Sequence, residues 1–112
     1  MMKNVIEIDG HKAVVSFDPD IQMFRGEFLD LTGGADFYAD NVKDLEAEGR
    51  RSLETFLEVC AERGIEPTRK FSGKFVLRVP PKVHEAAALR AAAEGRSMDE
   101  WLAKTIEEAA TA

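Results

Sequence analysis

The spacing of apolar residues changes period along the chain. Lys12–Phe17 (KAVVSF) is rich in β-branched residues, and Asp18-Pro19-Asp20 follows as a turn signal. Met23–Leu29 (MFRGEFL) resumes with partial alternation, Gly33-Gly34 marks another turn, and Ala35–Tyr38 is a short third strand candidate. Three strands at this spacing predict an antiparallel meander. Val5, Ile6 and Ile8 can begin the first strand early, with Asp9-Gly10 as a turn or bulge. The period then lengthens. Val42, Leu45, Gly49, Leu53, Phe56, Leu57 and Cys60 recur at helical spacing and predict a helix over Asn41–Arg63. Asn41 is its N-cap, with Asp44 three residues on, and Gly64-Ile65 reads as a Schellman end that Pro67 seals. One long helix on a three-stranded antiparallel sheet gives an α+β module over residues 1–67.

After a short connector, Glu66–Lys70, the pattern shortens again. In Lys74–Val79, Phe75, Leu77 and Val79 point one way, and Lys74, Val76 and Arg78 point the other. Pro80-Pro81 stops this strand and opens a helix that runs to about Glu94, where Gly95 ends it. Ser97 caps a second helix with Glu100 at the third position, and Met98, Trp101, Leu102, Thr105, Ile106 and Ala109 form its apolar stripe. A lone strand is marginal in water. Its available partner is its own copy in another chain, which predicts a two-stranded antiparallel ribbon backed by four helices. Phe75, Leu77, Val79, Trp101, Leu102 and Ile106 then become the dimer core of a second domain, residues 73–112, in a homodimer or a higher even-numbered oligomer.

Composition adds partners rather than fold. The net charge of −6 is uneven: residues 1–67 hold seven Lys/Arg against fifteen Asp/Glu, a net −8, and residues 68–112 hold eight against six, a net +2. An acidic module suits a basic protein, and a mildly basic one suits phosphate. The single cysteine, Cys60, rules out an internal disulfide framework and falls at an apolar helical position, as a buried, inert thiol does. The opening MMKNVIEIDG lacks the apolar core of a signal peptide, and no run approaches the ~20 residues of a membrane span, so the cytoplasm is the expected location.

The strand, the proline turn and the Gly95-Arg96-Ser97 break together resemble the ribbon-helix-helix module of the Arc/MetJ repressor class. That resemblance implies base contacts from Lys74, Val76 and Arg78, and phosphate contacts at Ser97 and Met98. Arg and Lys suit guanine O6 and N7, whereas Val76 can touch only a thymine methyl. The whole chain resembles the HicB family of antitoxins. The residues that carry this are Phe17–Asp20 (FDPD), Phe24-Arg25-Gly26, Cys60–Gly64 (CAERG), Ser72–Phe75 (SGKF) and Gly95-Arg96-Ser97. It implies a partial ribonuclease-H-like N-terminal domain that masks a HicA-type, mRNA-cleaving toxin, and a C-terminal domain that binds operator DNA and represses its own operon. A solitary regulator or dimerisation scaffold with no toxin is the alternative.

No catalysis, cofactor or metal is expected. Asp18, Asp20, Asp30, Asp36 and Asp40 are scattered, mostly in turns, where two-metal chemistry needs convergence. His11 and His84 lack a neighbouring nucleophile with triad-like spacing and read as surface or structural histidines.

Overall fold

The turn at Asp9-Gly10 decides the sheet. In the computed structural model, which describes residues 3–111, Asp9 and Gly10 have φ of 49° and 85° and form the two-residue loop between the paired residues Ile8 and His11. Positive φ at both positions is the demand of a type I′ hairpin turn. The chain therefore reverses there, and Val5–Ile8 becomes a separate strand, β1, beside β2 (His11–Asp18). The sheet has four strands rather than the three read from the pattern, in the order β1-β2-β3-β4 and antiparallel throughout. β3 is Met23–Phe28, and β4 is Phe37–Ala39, shifted toward the helix from the expected Ala35–Tyr38. Between β2 and β3, the Asp18 carboxylate accepts from the Asp20 N–H at 2.9 Å, which is the turn chemistry that D-P-D announces.

The chain divides into two compact units, Lys3–Ser72 and Gly73 onward. In the first, α1 (Val42–Arg63) packs on the sheet, contacting β1, β3 and β4. Asn41 accepts from the Asp44 N–H at 2.8 Å, and its amide donates to the Asp44 carboxylate at 2.7 Å. At the other end Gly64 has φ 65°, and the Ile65 N–H reaches Cys60 C=O at 2.9 Å, a Schellman closure. The buried face begins at Leu45 and continues through Gly49, Leu53 and Cys60; Val42 is exposed. Ile8, Leu45 and Leu53 are fully buried.

Phe37 occupies the centre of this core. A Cβ on Gly26 would lie 2.1 Å from its ring, and one on Gly49 would lie 2.8 Å away. Two glycines, one on β3 and one on α1, therefore make room for one aromatic ring. The connector is fastened to the same unit. The Thr32 N–H donates to Pro67 C=O at 2.9 Å, the Arg69 N–H donates to Asp30 C=O at 2.8 Å, and Leu31 and Thr68 form an antiparallel bridge.

The second unit holds α2 (Pro81–Ala93) and α3 (Met98–Ala110). Gly95, with φ 67°, closes α2, and the Arg96 N–H reaches Ala91 C=O at 2.9 Å. The Ser97 hydroxyl accepts from the Glu100 N–H at 3.1 Å and opens α3. Lys74–Val79, expected as a strand, belongs to no ladder in the single chain. A strand is defined by its partner's hydrogen bonds, and no strand of this unit supplies them.

Candidate nucleic-acid interface

Gly73, with φ 82°, and Pro80, which has no N–H, bracket a six-residue segment in which every residue is exposed. On its apolar side Phe75 is 71% exposed, Leu77 56% and Val79 42%. Lys74, Val76 and Arg78 alternate with these in sequence; Val76 is 85% exposed, and Arg78 lines the groove between α2 and α3 beside Leu77 and Val79. Arg78 forms no ion pair among the described residues. Within the second unit the stretch from Gly73 to His84 holds three Lys/Arg and no acid, whereas the rest of the chain holds twelve against twenty-one. Positive charge is thus concentrated on and beside this segment, as contact with a polyanion requires.

Behind the segment is a groove of about 980 Å³ between α2 and α3. Leu77, Val79, Val83, Trp101, Leu102 and Ile106 supply most of its apolar wall. Trp101 is half-buried, and its indole N–H donates to the Glu94 carboxylate at 2.9 Å, which fixes the ring at the end of α2. Among the described residues Ala91 is the one buried apolar side chain of the unit, and α3 buries none. Of the six residues read as dimer core, the single chain half-covers Trp101 and Leu102 and leaves Phe75, Leu77, Val79 and Ile106 exposed.

The two expected phosphate contacts differ in what they have to offer. The Ser97 hydroxyl is engaged as the α3 cap, and the Met98 side chain lines the groove. What remains there for an anion is backbone N–H at the first turn of a helix. Asp99 and Glu100 stand in the same turn. Val83 and Arg90 line the groove and were not singled out from the sequence; His84, expected as a surface or structural histidine, lines it too. Val83, Ala87 and Arg90 share one face at helical spacing, a signal diluted by the alanine run.

In the first unit, the carboxylates weighed for metal chemistry have other company. Asp36 forms an ion pair with Arg25 and, chiefly through that hydrogen bond, raises the guanidinium pKa above its ordinary value. Asp30 lies 3.0 Å from His11 Nδ1, and its other oxygen is buried without a partner. Among the described residues no three His, Cys, Asp or Glu are grouped as a metal ion would need. Glu54, Glu58 and Glu62 are exposed at i, i+4 and i+8 on α1, with no ion pair among the described residues. No described helix is long and apolar enough to cross a membrane.

No match was found among curated proteins or among solved structures. Residues 56–106 match the model of the HicB family, from the last turns of α1 through the exposed segment to Ile106.

Proposed function

We propose that this chain is the antitoxin of a HicA/HicB-type pair. Its acidic N-terminal unit, a partial ribonuclease-H-like sheet and helix, masks an mRNA-cleaving HicA-type toxin. Its C-terminal unit dimerises as a ribbon-helix-helix and represses the operon by placing the ribbon in the DNA major groove. The chain itself is not an enzyme in this reading and works in the cytoplasm without a cofactor. The observation that carries the reading is the exposed segment Lys74–Val79, apolar on one side and basic on the other, in front of an open apolar groove. A second copy answers both needs at once. Its strand completes the ladder, and its Phe75, Leu77 and Val79 cover the groove while Lys74, Val76 and Arg78 remain outward. The HicB match over this same region, and the −8 charge of residues 1–67, support the two-partner division.

The test is expression from the native locus with both neighbouring reading frames present. A small basic chain that co-purifies stably supports the antitoxin reading. A chain that emerges alone, as a dimer that still shifts its own upstream DNA, is the solitary regulator. In the paired system, Arg78→Ala abolishes operator binding and leaves toxin binding intact. Equal loss of both, in a folded protein, removes the division of labour.

A further inference from the structure

The sheet ends at β4, and the two sides of that strand differ. Its one ladder is with β3, and among the described residues no backbone hydrogen bond is made on its other side. The unpaired N–H and C=O groups of such an edge are a template for another strand. Two clefts, of about 650 and 400 Å³, lie between β4 and α1, and both include Tyr38, Glu48 and Arg51. Neither includes a residue of β1, the opposite edge. Resting on the antitoxin reading above, we propose that the open edge of β4 is where the basic partner docks, by adding an extended segment of its own chain as a fifth strand.

The pleat of the sheet states what that segment carries. Phe37 and Ala39 are buried on the side of α1, whereas Asp36, Tyr38 and Asp40 alternate with them and are exposed. A strand laid beside β4 sends every second side chain toward Phe56 and Val59 of α1, and the others alongside Asp36, Tyr38 and Asp40. The first set meets an apolar wall and the second meets carboxylates. Asp36 and Glu48 already hold Arg25 and Arg51, but among the described residues the Asp40 and Asp44 carboxylates accept only from the Asn41 amide. The segment that fits alternates apolar and cationic side chains. Charge also decides between a different chain and a second copy. A second β4 paired symmetrically about Tyr38 would set Asp36 of one copy opposite Asp40 of the other, twice over, and like charges directly opposite are destabilising.

The experiment uses the full-length chain with the small basic chain that co-purifies from the native locus. Amide exchange is followed in the free chain and in the complex. The β4 amides that face away from β3 are expected to slow in the complex, and those on the open side of β1 to stay fast. Two charge reversals of equal size, Asp40→Lys beside β4 and Glu7→Lys on β1, separate docking at this edge from general attraction. Asp40→Lys is expected to weaken the complex about tenfold or more, and Glu7→Lys by less than about twofold. Both residues are exposed, and unchanged protection of the β2 and β3 amides verifies the fold of each variant. Partner binding with β4 amides as fast as in the free chain overturns the inference, as do equal losses from the two reversals; the antitoxin reading then stands. Slowing of β4 in the free chain that grows with its concentration overturns it as well, because the occupant is then a second copy. If no basic chain co-purifies, the antitoxin reading fails and the docking edge fails with it.

Discussion

The two units of this chain solve the same problem differently. Residues 3–72 enclose Ile8, Leu45 and Leu53 completely and set Phe37 between two glycines, so their core is finished within one chain. Among the described residues from Gly73 onward Ala91 alone is buried, and Phe75, Leu77, Val79 and Ile106 are left in water. At about 25 cal/mol per Å² of apolar surface, an open groove of this extent forfeits several kcal/mol that a partner can recover. In the proposed reading the first unit folds by itself and the second completes its core with a second copy, which would tie its stability to concentration.

The largest test of that contrast is at Phe37. Phe37→Ala leaves a cavity between Gly26, Gly49 and Ile8 and is expected to cost about 3–5 kcal/mol. The loss belongs to the first unit. Hydrogen exchange at the amides of β2 and β3 should accelerate, while the unfolding transition of Trp101 fluorescence stays in place. Trp101 is the chain's single tryptophan and lies in the second unit, so it reports that unit alone. If the two signals move together, the units are one cooperative body and the contrast is wrong.

Dilution acts on the other side. A dimeric core loses about 1.4 kcal/mol of stability for each tenfold dilution. The midpoint of the Trp101 transition should therefore fall with concentration, while protection of the β2 and β3 amides does not. Leu77→Lys places a charge on the covered face and should leave the Trp101 transition weak at every concentration, with a monomer by light scattering. A transition independent of concentration would show that α2 and α3 are stable without a second copy.

What the pattern revealed and what it concealed separate along the same line. Helix ends were legible because their chemistry is local: Asn41 with Asp44, Gly64 with Ile65, and Ser97 with Glu100 each act within a few residues. β1 was run into its neighbour because Asp9-Gly10 serves a bulge or a turn equally well until the register is known. Val42 fits the apolar period of α1 and is exposed all the same, because period fixes a face and not where packing begins. The room made by Gly26 and Gly49 for Phe37 was not legible, since it joins residues far apart in the chain. In the second unit the alternation of Lys74–Val79 could be read directly, but the segment forms no ladder within the single chain, because no described strand of that unit pairs with it.

The smallest effects sharpen the comparison at the two helix caps. Asn41→Ala and Ser97→Ala each remove an acceptor from a helix N-terminus and should each cost about 1 kcal/mol. For Asn41 that is the whole effect, and it falls on the first unit. For Ser97 the same turn is also where the second unit would hold a DNA phosphate, so stability and affinity change together and Ser97→Ala alone leaves them mixed. Ser97→Asp separates them. The carboxylate still accepts from the Glu100 N–H, so the cap and the Trp101 transition are kept, yet it sets a negative charge where the phosphate would sit, beside Asp99. Affinity for duplex DNA should fall, with the steepest loss at low salt, where the added repulsion is least screened. Unchanged affinity in a dimer of undiminished stability would remove Ser97 and Met98 from the interface and leave the ribbon to hold the DNA alone.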